Sequence, residues 1–145
     1  MGVMNKIMKA GNKVGVALYQ RTNGRVGGKA KGGIPVLLLT VNGRKTGTSH
    51  TTPVGYFEHD DSYLVVGSAG GMKQHPQWIR NLEATDTAQV RIGDRTFTAN
   101  ARAVTGEERD ALFRDVVLAR HPYFANYEEK SGRTLKLALL TPSRK

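Results

Sequence analysis

The sequence predicts an α+β domain, a mostly antiparallel β-barrel with helices packed outside it. Three observations lead to that class. IPVLLLTV, HTTPVGYF and SYLVVGS are β-rich runs separated by the turn clusters NGRKTG and EHDDS, the pattern of an antiparallel meander. AQVRI and TFTANARAV flank Gly93-Asp94, a two-residue hairpin signal. Helical segments fall between the strands without the strict alternation of a doubly wound sheet.

The elements follow in order. Residues 3–19 place Met4, Ile7, Met8, Gly11, Val14, Ala17 and Leu18 at spacings of three and four, which predicts an amphipathic helix. Residues 20–33, rich in glycine and base, read as a mobile loop. Residues 1–33 thus form an N-terminal amphipathic helix with a basic flexible loop, and 34–145 form the barrel domain. IPVLLLTV begins that barrel, and Asn42-Gly43 closes its first hairpin because both residues tolerate positive φ. PQWIRNLEA reads as a short helix with Pro76 in its first turn and Trp78, Ile79 and Leu82 on one face. Thr105-Gly-Glu-Glu108 is a capping box ahead of RDALFRDVVLAR, where Leu112, Val116 and Ala119 line up. Tyr123, Phe124 and Tyr127 lie on a further short helical segment, and TLKLALLT closes the sheet.

Charge is the most informative compositional fact. The 145 residues carry a net +10, and from Met1 to Phe57 there are nine Lys or Arg and no Asp or Glu. The remaining 88 residues hold 13 bases against 12 acids. The excess points to a polyanionic partner: a phosphorylated or polyacidic cofactor, nucleic acid or an anionic membrane surface. A solvated basic face without a specific ligand is the bland alternative. No apolar stretch approaches a membrane span, and Lys6, Lys9 and Lys13 interrupt any signal-peptide pattern, so the expected location is cytoplasmic. A peripheral membrane contact through the basic N-terminal helix stays open. Zero cysteines exclude disulfides and thiolate chemistry.

Several site types fail on inspection. No G-x-x-x-x-G-K-[ST] is present, and VGSAGG carries Val66 where a nucleophile elbow requires Gly. The four histidines lack zinc-ligand spacing, so no metal is expected, and His59-Asp60-Asp61 reads as a solvated turn. Two glycine-bearing loops remain. NGRKTG sets Arg44 and Lys45 at a hairpin tip, with hydroxyls and free amides expected behind them. GSAGG follows the strand SYLVV and precedes a helix, where small residues let a ligand approach the backbone. Together they suggest two walls of an anion-lined groove. Trp78, Tyr123, Phe124 and Tyr127 can wall a flat ring, or can equally be core.

At GRKTG, TPVGYF, YLVVGSAGG, HPQWIRNLEA and AQVRIGDR the chain resembles the deazaflavin (coenzyme F420)-dependent nitroreductase family of actinobacteria. The resemblance runs from about Gly33 to the C-terminal strand. It implies a split β-barrel and an oxidoreductase that passes a hydride from reduced coenzyme F420 to a quinone, nitroaromatic or activated double bond. It also implies which residues hold the cofactor: Arg44, Lys45 and Thr46 at its phosphate, and His50, Thr51, Thr52, Pro53, Val54 and Gly55 beneath the deazaflavin. Val66, Gly67, Ser68 and Ala69 would lie beside the ring, and Gln77, Trp78, Ile79, Arg80 and Asn81 at the helix start. Ser68 and Tyr127 are the implied catalytic residues, and Tyr123, Phe124 and Tyr127 the substrate cover. Two departures bear on substrate and proton donor: Ala69 stands where relatives carry lysine, and Phe124 where tyrosine is common. Alternatives are an FMN-dependent split-barrel oxidoreductase and a non-catalytic deazaflavin carrier. The expected partner is a small-molecule electron acceptor, with no nucleic acid, and the chain is a monomer or homodimer.

Overall fold

The computed structural model describes residues 16–25, 28, 33–45, 47–67, 77–132 and 134–143. Six strands form one closed barrel: β1 (Val36–Asn42), β2 (Ser49–His59), β3 (Ser62–Gly67), β4 (Thr87–Ile92), β5 (Arg95–Val104) and β6 (Lys136–Pro142). They run in the order β1-β2-β3-β6-β5-β4, every pair antiparallel. The helices are α1 (16–22), α2 (Gln77–Thr85), α3 (Gly106–Leu112) continued by a π-helix (Phe113–Leu118), and α4 (Phe124–Ser131).

Strand alternation sorts the apolar side chains onto two faces. Leu37, Leu39, Val41, Val54, Tyr56, Val65, Val90, Ala99, Ala138 and Leu140 fill the barrel, and Ile79 and Leu82 of α2 join them. Outside, Phe57, Leu64, Val66, Leu137 and Leu139 pack against Leu112, Phe113, Val116, Val117 and Phe124. β3 and β6 therefore bury both faces, which is why they read as continuous apolar runs.

Of the helix expected over 3–19, residues 16–19 are described and are helical, and the helix runs on to residue 22; Met4, Ile7, Met8, Gly11 and Val14 lie outside the described residues. At its described end the packed face differs from the expected one. Ala17 and Leu18 are exposed, whereas Tyr19 is buried with Val36 and Leu38, and Val16 packs beside them. The tyrosine hydroxyl decides this, because it donates to the Val36 carbonyl at 2.9 Å and accepts from the Gly93 amide at 2.9 Å. Arg91 adds bonds to the Gln20 carbonyl and Asn23 Oδ1. α1 is thus riveted to the first strand and to the β4–β5 hairpin.

Two local readings are corrected. Thr105 makes no side-chain cap hydrogen bond; Glu108 instead accepts from both terminal guanidinium nitrogens of Arg102, at 2.6 and 2.9 Å, a bidentate charge-assisted pair. The segment after Leu112 is a π-helix, whose i→i+5 pattern shifts the buried positions. Phe113, Val116 and Val117 face the core and Ala119 is exposed.

One buried charge ties the helical layer together. Arg109 Nε donates to the Leu135 carbonyl at 3.1 Å, Nη2 pairs with Glu128, and the guanidinium lies 4.4 Å from the Phe113 ring centre. Glu128 also accepts from the Leu135 amide at 2.8 Å. Among the described residues no buried side-chain polar atom lacks a partner.

Candidate functional site

The β1–β2 turn is built by its own amides. Gly43 donates to the Thr48 carbonyl and Gly47 to the Gly43 carbonyl, both at 2.8 Å, with Gly47 at φ 74°. The Gly47 amide is therefore not free for an anion, and the Ser49 hydroxyl donates to Asn42 Oδ1 at 3.0 Å. This corrects the expectation of free amides and hydroxyls behind the turn. The turn takes the Gly47 amide and the Ser49 hydroxyl for itself.

What the turn presents is Arg44 and Lys45, and it is docked on α2. The Arg44 backbone amide donates to Asn81 Oδ1 at 3.2 Å. Its Nη1 donates to both Gln77 Oε1 and Asn81 Oδ1, each at 2.8 Å. Asn81 is only 5% exposed, so this amide oxygen is committed to the turn. Lys45 is exposed. Two stretches 37 positions apart in sequence thereby meet at one end of the barrel.

α2 is fixed from its other flank too. Lys136 Nζ reaches both oxygens of Glu83, at 2.8 and 2.9 Å. Between the flanks, Ile79 enters the barrel against Gly67. A Cβ at position 67 would lie 3.2 Å from Ile79 Cδ1 and 3.3 Å from Cγ2, a tight fit in which Ile79 would have to give by a few tenths of an ångström. Gly67 sits opposite Lys136 in the β3–β6 register. The end of β3, the start of β6, the β1–β2 turn and α2 thus form a single mouth.

The β2 run does not face one way. Antiparallel partners share a face: His50 lies opposite Val41, Thr52 opposite Leu39 and Val54 opposite Leu37, all on the inner side. Thr51, Pro53 and Gly55 point outward, and Thr51 Oγ1 is 2.7 Å from Thr40 Oγ1. His50 is exposed, Thr52 half-buried and Val54 buried. Val66 points outward into the layer beneath α4, and Ile79 is barrel core. Trp78 is half-buried against the interior cluster, whereas Gln77 and Arg80 are exposed. Thr46, Ser68 and Ala69, like Pro76, lie outside the described residues.

The aromatic residues of α4 gather into a cluster. Phe124 is buried, with its ring 5.9 Å from Phe57, 5.0 Å from Tyr123 and 5.4 Å from Tyr127. Tyr123 and Tyr127 are half-buried at the edge of that packing. Burial raises the Tyr123 phenol pKa above its ordinary value, and Tyr127 adds to the shift. His121, which sequence reasoning did not single out as a site residue, joins the cluster 5.7 Å from Tyr123 and 5.8 Å from Phe57. Glu83 and Lys136 were also missed, since nothing in a sequence pairs a helix carboxylate with a strand lysine 53 positions away. Among the described residues no group of His, Cys, Asp or Glu could hold a metal ion, and no helix is long and apolar enough to cross a membrane.

The chain is similar to known proteins in sequence and in fold. The profile of the F420H(2)-dependent quinone reductase family matches residues 12–142. The F420H(2)-dependent quinone reductase Rv1261c of Mycobacterium tuberculosis is 33% identical over 127 residues, covering 86% of this chain and 85% of that protein. A solved F420-H2 dependent reductase, FDR-A, aligns with a TM-score of 0.64 at 31% identity, over 73% of this chain and 93% of its own. A second solved structure, described as a domain-swapped dimer, gives the same TM-score and identity over 73% and 79% of the two chains. The expected split β-barrel is thus the observed fold. The mouth also suits a phosphate-bearing ring cofactor. Among the described residues no hydrogen bond ends on Arg44 Nε or Nη2, Lys45 is exposed beside it, and Gly67 puts no side chain between β3 and α2. By its matched sequence and its barrel, the chain belongs to the F420H(2)-dependent quinone reductase family and is an oxidoreductase whose cofactor is coenzyme F420.

Proposed function

We propose that this chain transfers a hydride from reduced coenzyme F420 to a quinone, and that nitroaromatics or activated double bonds are accepted at the same mouth. The observation that carries the reading is the docking of Arg44 on Gln77 and Asn81, which unites the basic turn with α2 beside the end of β3. Arg44, Lys45 and Thr46 hold the phosphate end. His50 to Gly55 lie beneath the ring, contributing through alternate residues, with His50 and Thr52 on the inner side. The segments Val66 to Ala69 and Gln77 to Asn81 flank it, Val66 and Ile79 from the packing behind the site and Asn81 through Arg44. When bound, the deazaflavin supplies the hydride and its two electrons.

The chain's own residues orient, shield and protonate. Ser68 donates a hydrogen bond to the oxygen that gains charge as the acceptor is reduced. Tyr127 or solvent delivers the proton, and Tyr123, Phe124 and Tyr127 cover the acceptor. Burial raises the Tyr123 phenol pKa further above physiological pH, so the group is a neutral hydrogen-bond donor. The net +10 supports recruitment of a cofactor with an oligoglutamate tail. We expect this activity in the cytoplasm, from a monomer or homodimer.

Fluorescence titration with coenzyme F420 and, separately, FMN tests the assignment. Saturable binding of F420, followed by oxidation of its reduced form on adding menadione, is the expected result. Binding of FMN alone would overturn it, and F420 binding without turnover would identify a carrier.

A further inference from the structure

We propose that Asn81 is the positioning residue of the anion site, presenting one edge of the Arg44 guanidinium to a phosphate or carboxylate. The inference rests on the cofactor reading above and deepens it: Asn81 acts through Arg44 and not by touching the ligand. Nη1 carries two hydrogens, and Gln77 Oε1 and Asn81 Oδ1 lie 2.8 Å away to receive them. That end of the guanidinium is thereby turned toward α2. Nε–H and one Nη2–H then form the opposite, parallel pair of donors, the fork that matches two oxygens of a phosphate or carboxylate. Among the described residues no hydrogen bond ends on that pair.

Asn81 and Gln77 differ in what they can enforce. Gln77 is exposed, so water competes for its contact; Asn81 is 5% exposed, so its contact persists. The same Oδ1 holds the Arg44 backbone amide at 3.2 Å, which fixes both ends of a long side chain through one atom. The ordering of that side chain is complete before the anion arrives. The amides of Gly43, Arg44 and Gly47 are already engaged, so they are not available to the anion, and the side-chain fork acts together with Lys45 and Thr46.

The test is a double-mutant cycle of F420 affinity on the full chain, with the Arg44 Nε–H resonance followed by NMR. Asn81→Ala is expected to weaken F420 binding about tenfold in the wild-type background, to broaden the Arg44 Nε–H signal, and to change nothing further once Arg44→Ala is present. Asn81→Asp keeps the acceptor and the fold, and is expected to retain a sharp Nε–H signal, which separates positioning from loss of structure. Additive losses in the cycle would overturn the proposal, since Asn81 would then act on the ligand itself. If the wild type binds no F420, the cofactor reading fails and titration with inorganic phosphate decides the inference. A shift of Nε–H in the wild type that is absent in Asn81→Ala upholds it, and no shift in the wild type overturns it.

Discussion

Gly67→Ala probes how tightly α2 is seated on the mouth. The new methyl would lie 3.2 and 3.3 Å from two carbons of Ile79 and 3.4 Å from the Lys136 carbonyl oxygen. Ile79 is 1% exposed and packed in the barrel core, so the shift of a few tenths of an ångström that it must make is resisted by its neighbours. Overpacking of this kind costs about 1–3 kcal/mol. Replacing glycine removes freedom from the unfolded chain and offsets about 0.4–1 kcal/mol of that. The net expectation is a loss of roughly 0.5–2 kcal/mol, together with weaker F420 binding as Gln77 and Asn81 shift relative to Arg44. Ile79→Val deletes the Cδ1 methyl and alone costs about 0.5–1.5 kcal/mol. In the double mutant the two losses should fall short of their sum by at least about 0.5 kcal/mol, because each relieves the other. Urea denaturation measures the stabilities and fluorescence titration the affinity. Additive stabilities with unchanged F420 affinity would refute the close approach as the reason for glycine.

Tyr19→Phe leaves the Val36 carbonyl and Gly93 amide without the hydroxyl between them; a loss of about 2 kcal/mol is expected, or roughly 4–8 °C in Tm, and a change below about 1 °C would show the rivet to be idle. Glu128→Ala removes one of the two carboxylates paired with Arg109, leaving Asp110 at 3.0 Å, and takes an acceptor from the Leu135 amide, so the equilibrium denaturation midpoint should fall by the equivalent of about 1–3 kcal/mol. Hydrogen bonding from Arg102 holds the Glu108 carboxyl below its ordinary pKa. Its contribution is therefore present above the unfolded value and lost as pH falls through the lowered folded one; Arg102→Met should return the Glu108 carboxyl NMR titration to the ordinary range.

The barrel was legible because each strand carried its own mark: period-two alternation in β4 and β5, continuous apolar runs in β3 and β6, and glycine or aspartate at the turns. The site was legible in parts. Arg44 and Lys45 stood out through charge asymmetry, and Gly67 through its place after a strand. Sequence proximity could not reveal that Asn81 joins the turn, since that contact exists only once the barrel brings position 44 beside position 81. Tyr19 was hidden for a similar reason: its neighbours in the helix look equally apolar, and only the partners of its hydroxyl choose it over Leu18. The π-helix was unreadable because FRDVVL fits an α-helical pattern, and packing of Val116 and Val117 selects the wider turn.

β6 is late in the chain yet central in the sheet, with β3 on one side and β5 on the other. A ribosome therefore releases five strands before the one that joins their two ends. Until residues 136–142 emerge, β3 and β5 hold open edges, which are templates for aggregation. Nascent chains stalled or truncated before Lys136 should accordingly be client material for chaperones and proteases, and only chains that include β6 gain a closed barrel. Synthesis as far as β6 is thus checked by the topology itself.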